Sequence, residues 1–400
     1  MNRFIVLDGL RGYFLMFMVI NHLDFQGGSL IVRINHAELG FVQDAQGFVF
    51  LSGMLVGLYY TRLYQKGRAQ EGAAKIVRRA GELYRYAVLL LASIMAVALV
   101  MPQSQAFWGH RLGIFYEDAA SVGVASALLL YQPTYMDILP QYIVYLLASP
   151  LLIRLVTTGY WREVALGSFA LWLAAQLGVH LPLIAGLEHA VRVVAPGFEL
   201  RSHFNPLGWQ IIFVSGLLIG AAQSMGQFDR SRWFSAERTG MAWCALALVL
   251  FFLAWRLAFT NDLVPEVMAQ RFWGFGTRTD FGLLFLLNFA ALAYLIAWLL
   301  MCGQEAAGRA VPALSVALRR LFSHPFLVLL GQHSLQVYVF HVFLVYAIVA
   351  LEWRVGPFNE IQKTMLALIA VASLALPALL RARWTRAPSA SGRRAQARTG

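Results

Sequence analysis

The sequence contains few charged residues for its length. Only 13% of its 400 residues are Asp, Glu, Lys or Arg, about half the share in a soluble domain, whereas 59% are apolar. The mean hydropathy is +0.62. This deficit of charge indicates a polytopic integral membrane protein. The net charge of +12 lies in short segments between apolar runs, a pattern typical of membrane topology, so we predict no nucleic-acid binding.

Cysteine is also scarce, and the histidines show no metal-binding pattern. The two cysteines, Cys244 and Cys302, both lie in apolar segments, so the sequence predicts neither a disulfide framework nor a cysteine-ligated metal. No two histidines have a ligand-like spacing with carboxylates, and we expect no metal site. The chain also lacks a repeat long enough to suggest two homologous halves.

Apolar runs of sufficient length predict an all-α integral membrane protein with about ten transmembrane helices. About 20 residues, rising 1.5 Å each, cross the hydrocarbon core of a bilayer. The run 119–132 is too short for this and ends before Pro133, so we predict a re-entrant or interfacial helix there. The predicted spans are 4–23, 46–64, 83–101, 136–156, 163–180, 206–223, 240–259, 280–302, 325–350 and 361–381.

The distribution of basic residues predicts the orientation of these spans. With the N-terminus in the cytoplasm, the cytoplasmic segments hold 21 Lys and Arg residues and the opposite segments hold seven. Because cytoplasmic loops carry the excess of Lys and Arg, both termini are predicted to be cytoplasmic. We therefore predict a single transmembrane domain, 1–382, and a basic, disordered cytoplasmic tail, 383–400.

The first predicted span carries ionisable residues that a bilayer disfavours. Residues 4–24, FIVLDGLRGYFLMFMVINHLD, contain Asp8, Arg11 and His22, and a charged side chain at membrane depth costs roughly 3 kcal/mol or more. Arg11 and His22 are eleven residues apart, close to three helical turns, so they share one face about 16 Å apart. Asp8 lies one turn before Arg11 and can neutralise it. This pattern favours a functional site; the alternative is an Arg that reaches for the cytoplasm and a His that caps the helix.

Polar residues also gather where the first span ends and the second begins. Asn21, His22 and Asp24 end the first span, and Asp44 and Gln46 begin the second on the same predicted side of the membrane. The second span continues with the small residues Ser52 and Gly53, which permit close helix packing. We therefore expect a polar site at one depth between these two helices.

The most basic internal loop is predicted between the second and third spans, residues 61–82. One interpretation is the positive-inside rule alone. The other is a surface that binds the phosphates of a nucleotide-like donor, since Lys and Arg bind phosphate oxygens well. The candidate phosphate-binding residues are Arg62, Lys75, Arg78 and Arg79.

Several of these motifs resemble a known superfamily. Arg11 and His22 form an R-x10-H arrangement, GFVFLSGMLVG (47–57) is similar to an F-x-LSG-F motif, and LGQHSLQVYVFH (330–341) is similar to LG-x-x-S-x-x-x-Y-x-x-H. Together, in this order, they resemble the membrane acyltransferase-3 superfamily. Within it the chain resembles the OpgC branch, the succinyltransferases of osmoregulated periplasmic glucans. The segments that suggest this branch are 131–147, 204–220 and 277–295.

The resemblance implies an O-acyltransferase in a bacterial inner membrane. It implies an acyl group, succinyl or acetyl, moved from cytosolic acyl-CoA to hydroxyls of a periplasmic glucan or related glycan, with acyl-CoA as co-substrate and no permanently bound cofactor. A neutral imidazole can take a hydroxyl proton in the transition state, and we assign this role to His22. Asp24 or Asp44 would hold its other ring nitrogen. Arg11 would hold a phosphate or the carbonyl of the donor.

Further residues are candidates for the two substrate sites. Ser334, Tyr338 and His341 recur at intervals of four and three, so they share a helix face that lines either the donor path or a polar seam between helices. Ser52 is a further donor-side candidate. Arg278 and Asp280 are predicted to form a local ion pair. Aromatic side chains with amide and carboxylate neighbours suit sugar binding, although aromatic residues also belong at membrane interfaces for structural reasons. The candidates for glycan binding are Tyr135, Asp137, Gln141, Asn205 and Trp209.

Two other classes of function compete with this interpretation. A transporter or flippase for an anionic glycolipid or polymer also needs buried Arg and His residues. The chain, however, lacks the duplicated halves and paired interrupted helices that many transporters show. A purely structural assembly protein leaves Asp8, Arg11 and His22 without a role.

Overall fold

The computed structural model describes residues 2–33, 35–38, 40–193, 198, 200–237, 239–275 and 277–386. These residues form a bundle of α-helices, and within the described ranges the only extended pairing is an isolated bridge between Tyr131 and Arg201. The helices are α1 (Asn2–His22), α2 (Leu30–Arg33), α3 (Asp44–Gln65), α4 (Ala69–Val100), α5 (Ser104–Leu112), α6 (Ala119–Ala127), α7 (Ile138–Thr157), α8 (Trp161–Gln176), α9 (Leu181–Arg192), α10 (Pro206–Ser224), α11 (Arg230–Trp233), α12 (Gly240–Thr260), α13 (Glu266–Trp273), α14 (Leu283–Cys302), α15 (Ala310–Phe322), α16 (Pro325–Gln332), α17 (Ser334–Val355), α18 (Glu360–Ser373) and α19 (Ala375–Arg386).

The helices are long and apolar enough for a multi-pass membrane protein. By length and composition, seven helical segments among the described residues can cross a membrane, or up to nine if two bent helix pairs each form one span. The predicted all-α, multi-pass class is confirmed, with seven to nine candidates in place of about ten. Helices α1 and α3, of 21 and 22 residues, are not in this set. The seven segments are Ala69–Val100, Ile138–Thr157, Pro206–Ser224, Gly240–Thr260, Leu283–Glu305, Ser334–Val355 and Glu360–Arg383.

Two predicted spans are bent or broken. The span 163–180 corresponds to α8 and α9, which meet at 68°. The span 325–350 is interrupted at His333, between α16 and α17, and α16 itself meets α15 at 52°. The mean apolarity of a window does not report such changes of direction. The run 119–132 holds only the nine-residue helix α6, too short to span. The predicted tail begins inside α19, and its residues 387–400 lie outside the described residues.

The predicted basic loop 61–82 is almost entirely helical. Helix α3 continues to Gln65 and α4 begins at Ala69, so the connection is only three residues long and turns at Gly67, where φ is +71°. Ion pairs along α4 explain the helix: Lys75 Nζ lies 2.9 Å from Glu71, and Arg79 Nη1 lies 2.6 Å from Glu82. The phosphate-binding candidates of this segment therefore stand on a rigid helix.

Glycines bring the backbones at the centre of the bundle together. On α3, a Cβ added at Gly53 or Gly57 would lie 2.1 Å from a backbone oxygen of α10. On α10, Gly216 and Gly220 meet the backbone of α3 in the same way, at 2.2 and 2.1 Å. Each pair is a G-x-x-x-G motif, and the two motifs face each other, so that larger side chains would force these helices apart.

Helix α1 is held against α15 and α16 by a similar contact. A Cβ at Gly9 would lie 1.6 Å from the carbonyl oxygen of Phe322, and one at Gly12 would lie 1.8 Å from that of Leu327. In return, a Cβ at Gly331 would lie 1.8 Å from the carbonyl oxygen of Asp8. The first helix of the chain is thus fixed by segments that follow it by about 300 residues.

The chain that leaves α1 is held by charged side chains from the last helices. Buried Lys363 of α18 donates to the carbonyl oxygens of Gln26 and Gly28, at 2.8 and 2.7 Å. The Glu352 carboxylate of α17 accepts from the backbone N–H of Gln26, at 3.2 Å. Because a buried charge is stable only when it is paired or hydrogen-bonded, these contacts hold the end of α1 firmly in position.

Candidate active site

Two polar contacts join α1 to α17. Arg11 donates from Nη2 to the Ser334 hydroxyl at 2.6 Å, and His22 Nδ1 lies 3.1 Å from His341 Nε2. Arg11 precedes His22 in α1, and its partner Ser334 precedes His341 in α17, so the two helices run parallel. The R-x10-H residues of the first helix therefore meet the Ser and His of the LG-x-x-S-x-x-x-Y-x-x-H segment.

The contacts of His341 determine which ring nitrogens carry protons. His341 is fully buried, and its Nδ1 contacts the carbonyl oxygen of Tyr338, which can only accept. A neutral His341 therefore carries its proton on Nδ1, and its Nε2 is an acceptor. His22 must then donate from Nδ1, which leaves a lone pair on His22 Nε2. The arrangement makes Nε2 the basic atom of His22.

The Tyr135 ring packs against the His22 imidazole, and Tyr338 holds Tyr135 in place. The Tyr135 ring stacks on the His22 ring, with centroids 4.0 Å apart and planes at 21°. Its backbone has φ +71°, which places the ring over the imidazole, and the Tyr338 hydroxyl donates to its carbonyl oxygen at 2.6 Å. The left-handed conformation of a bulky residue is uncommon and indicates that the surrounding contacts enforce it.

These residues form part of the wall of a cavity of about 620 Å³, within the size range of ligand sites. Its lining is polar as well as aromatic, and it lies where α1 ends and α3, α7 and α14 begin. Residues from the described loops before α7, α10 and α14 complete it. The functional side chains in the lining include Asn21, His22, Asp44, Tyr135, Asp137, His203, Arg256, Arg278 and Tyr338.

Asp24 and Asp44, the two predicted carboxylate partners of His22, contact other residues in the structure. Asp24 is 71% exposed at its side chain and accepts from Arg111 at 3.0 Å. Asp44 lines the cavity, but it accepts from Asn21 at 2.6 Å and lies 3.3 Å from His36. The expectation that either holds the second ring nitrogen of His22 is wrong, because His341 takes that position.

The predicted glycan-binding residues separate into two groups. Tyr135 and Asp137 line the cavity beside His22. Gln141, Asn205 and Trp209 are buried and absent from the lining, and each is engaged by the protein itself. Gln141 donates to Tyr145 at 2.9 Å, Asn205 to Asp280 at 2.8 Å, and the Trp209 indole to the carbonyl oxygen of Arg278 at 3.1 Å. Their side chains stabilise the cavity wall and do not face its interior.

Asp137 has an unusual environment for a carboxyl group. It precedes α7, is 4% exposed and accepts from the backbone N–H of His203 at 3.2 Å. Burial raises the pKa of Asp137 to about 6, and the positive charge of Arg278 partly opposes this shift. The group is therefore poised to change its charge near neutral pH.

A polar seam leads from Arg11 towards the basic segment of α4. Tyr142 of α7 interacts electrostatically with both Arg11 and Arg79. Arg11 Nε is buried and has no hydrogen-bond partner among the described residues. An unpaired buried polar atom is costly, so this atom marks a place where a polar ligand would be accommodated.

The other donor candidates lie apart from this seam. Arg62, at the end of α3, borders a separate apolar cavity of about 810 Å³ formed mainly by α3, α10 and α14. Lys75 is paired with Glu71, and Arg78 is exposed on α4. Of the four basic candidates, Arg79 is the one that interacts with residues deep in the bundle.

Sequence reasoning missed the role of Arg278. The predicted ion pair with Asp280 is absent, because Asn205 and Thr277 donate to the Asp280 carboxylate at 2.8 and 2.9 Å. Arg278 instead lines the cavity. A spacing of two residues outside a helix does not bring side chains together, and this is the signal that would have argued against the pair. Within the described ranges no three His, Cys, Asp or Glu residues lie close enough to hold a metal ion.

The family model described as OpgC protein matches residues 3–386, essentially the whole chain. No curated protein and no solved structure matches the sequence.

Proposed function

Because the chain belongs to the OpgC protein family, we propose that it is a membrane O-acyltransferase that transfers an acyl group, succinyl in the first instance, from acyl-CoA to a glucan hydroxyl. The observation that carries this proposal is the His22–His341–Tyr338 arrangement at the cavity. It leaves a basic nitrogen beside a space of ligand size, which is what a general base for a sugar hydroxyl requires.

The chemical step uses this nitrogen. The glucan hydroxyl gives its proton to His22 Nε2 while its oxygen attacks the carbonyl carbon of the thioester. The carbon–sulfur bond then breaks, and the CoA thiolate takes the proton from the imidazolium. Charge develops on His22 during this step, and His341, as an acceptor for the Nδ1 proton, stabilises the imidazolium. His341 thus acts through His22, as a positioning residue.

The polar seam is the proposed route of the donor. Arg79, at the outer end of the seam, would bind phosphate, and Arg11 would hold the pantetheine or the thioester carbonyl. The buried Arg11 Nε, which has no hydrogen-bond partner among the described residues, supports this route. The separation of Arg11 and His22 by about 16 Å suits an extended chain that brings its thioester from one helix level to the other.

We also propose that the protein lies in a bacterial inner membrane with both termini in the cytoplasm. The basic residues of the terminal segment support this orientation. A tag placed after Gly400 should then be inaccessible to a membrane-impermeant reagent added to intact cells. Labelling of the tag from outside would reverse the orientation and put the donor route on the wrong side.

The test of the function is a donor assay. Membranes that contain the protein are incubated with radiolabelled succinyl-CoA or acetyl-CoA and a periplasmic glucan, and glucans from cells with and without the gene are compared by mass spectrometry. An acyltransferase labels the glucan and adds the mass of the acyl group. A transporter or flippase changes the location of its substrate without labelling it, and that outcome would contradict the proposal.

His22→Gln is the matched variant for this assay, because it retains a polar side chain of similar size without a basic nitrogen. We expect it to insert normally and to lose acyl transfer by roughly a hundredfold or more. Binding of CoA to the purified variant should persist, because the donor contacts lie at the level of Arg11. Near-normal transfer by a well-expressed His22→Gln protein would contradict the assignment of the base.

A further inference from the structure

Arg278 places a positive charge in the wall of the cavity without a carboxylate in direct contact among the described residues. The residue is exposed, lines the cavity, and lies in the connection before α14, outside the membrane-spanning segments. Among the described residues, no carboxylate oxygen lies within 4.0 Å of its guanidinium, and no side chain or carbonyl accepts a hydrogen bond from it. Its one close contact is with the Phe204 ring, whose centroid lies 5.7 Å from Arg278 Cζ.

The other arginine of the cavity has a partner. Arg256 Nη2 lies 2.7 Å from the carboxylate of Glu38, and both residues line the same space. The cavity thus contains two guanidinium groups, one in a direct ion pair and one without such a pair among the described residues. A guanidinium presents a planar fork of donors that matches a carboxylate, so an arginine without such a partner in a ligand cavity is suited to bind an anionic ligand.

The position of Arg278 relates it to the reacting atoms. Its charge acts on His22, and its electrostatic neighbours on the protein are Asp137, Tyr135 and Asp44. Its backbone is held because the Trp209 indole donates to its carbonyl oxygen at 3.1 Å. The guanidinium is therefore presented by a fixed backbone to the same space as the proposed base.

We propose that Arg278 binds the free carboxylate of a dicarboxylic acyl group while the thioester end of that group lies at His22. The inference rests on the proposed acyl transfer and adds the residue that makes the enzyme select a dicarboxylic donor. The carboxylate is unchanged in the reaction, so Arg278 makes and breaks no bond. It favours a four-carbon diacid over the monoacid of equal length, because only the diacid neutralises the guanidinium.

The test compares two donors that differ only in this carboxylate. Succinyl-CoA and butyryl-CoA are supplied to wild type, Arg278→Gln and Arg278→Lys, with a neutral, unsubstituted glucan as acceptor. We expect Arg278→Gln to lower kcat/KM for succinyl-CoA roughly ten- to hundredfold, in line with the loss of a charge-assisted hydrogen bond, and to change that for butyryl-CoA little. Arg278→Lys should recover part of the preference for succinyl-CoA.

The double variant Arg256→Gln with Glu38→Gln is the matched control, because it removes a guanidinium together with the carboxylate that neutralises it and so leaves the net charge of the cavity unchanged. It should affect both donors alike. A thermal-shift titration of each purified variant with the two donors measures the same preference without turnover, and succinyl-CoA should lose its advantage in Arg278→Gln. Equal losses for both donors in Arg278→Gln would overturn the inference.

A third arm separates the two sources of an anion, the acyl group and the glycan. If Arg278→Gln affected only transfer to glucans that carry anionic substituents, the bound anion would belong to the acceptor, and the inference would be wrong. If wild type transferred neither acyl group, the proposed function would fail first. Transfer by wild type with an unchanged donor preference in Arg278→Gln would overturn the inference alone.

Discussion

The imidazole rings of His22 and His341 lie 3.1 Å apart, Nδ1 to Nε2, although 319 residues separate them in the chain. The contact forms because α1 and α17 run side by side, and the carbonyl oxygen of Tyr338 orients the second ring. A base assembled in this way needs no carboxylate. Its strength depends on a neutral acceptor buried between helices, which keeps charge out of the bundle until the reaction creates it.

His341→Ala should lower kcat for acyl transfer by roughly tenfold or more, because the acceptor that fixes the tautomer and orientation of the His22 imidazole is lost. His341→Gln should retain much more activity, because its amide oxygen can still accept the Nδ1 proton of His22. Steady-state kinetics of both variants measure this difference, and KM for the donor should change little. An equal and complete loss in both variants would instead make His341 the base.

Gly216→Ala and Gly220→Ala should destabilise the protein by about 1–3 kcal/mol, because the added methyl groups would overlap the backbone of α3 at 2.2 and 2.1 Å. Gly167→Ala on α8 is the control, since a Cβ there meets nothing within 4 Å. It should leave stability unchanged or slightly raised, because Ala favours a helix over Gly. Thermal unfolding of the purified proteins in one detergent compares them. If wild type, Gly216→Ala and Gly220→Ala had equal melting temperatures, α3 and α10 could move apart without loss of stability, and the prediction would be wrong.

Replacement of Arg78 and Arg79 together by Ala should raise KM for acyl-CoA and leave kcat nearly unchanged. Contacts with phosphates far from the thioester bind the ground and transition states alike. Arg320→Ala is the control, because this exposed basic residue lies on a different helix, α15. Kinetics at varied donor concentration give both constants, after expression is checked. An unchanged KM would assign the basic residues of α4 to membrane topology alone.

Asp137→Asn should change how stability depends on pH. Burial raises the pKa of Asp137 to about 6, so the folded protein holds this proton more tightly than the unfolded chain. Asp137 therefore contributes stability that is present at low pH and is lost as pH rises through about 6. The melting temperature of Asp137→Asn relative to wild type should be higher at pH 8 than at pH 5. A difference that does not vary with pH would contradict the shifted pKa.

The sequence predicted most of what lies within single helices. The alignment of Arg11 with His22 and of Ser334 with His341 follows from helical periodicity, and both pairs lie on the faces where α1 and α17 meet. Hydropathy similarly predicted the multi-pass class. The bend between α8 and α9 and the interruption at His333 escaped it, because the apolar character continues through both.

The partners across helices could not be predicted in the same way. Asp24 and Asp44 are near His22 in sequence or in predicted depth. In the structure, however, Asp24 accepts a hydrogen bond from Arg111 and Asp44 accepts one from Asn21. Likewise, a large aromatic side chain such as that of Trp209 can bind a sugar or pack in the core, and only the folded structure shows which of the two it does. Charge and polarity identify the residues that need partners, whereas the choice of partner depends on the three-dimensional arrangement.

The close fit of α1 against α15 and α16 has a consequence for biogenesis. Ribosomes release about 5–20 residues per second, so roughly 15–60 seconds pass between the emergence of α1 and of the segment that covers Gly9 and Gly12. During that interval Arg11 lacks its acceptor, Ser334, and the helix that carries it is too polar to rest stably in lipid by itself. The nascent first helix therefore depends on the insertion machinery, or on the membrane surface, until the last third of the chain arrives to receive it.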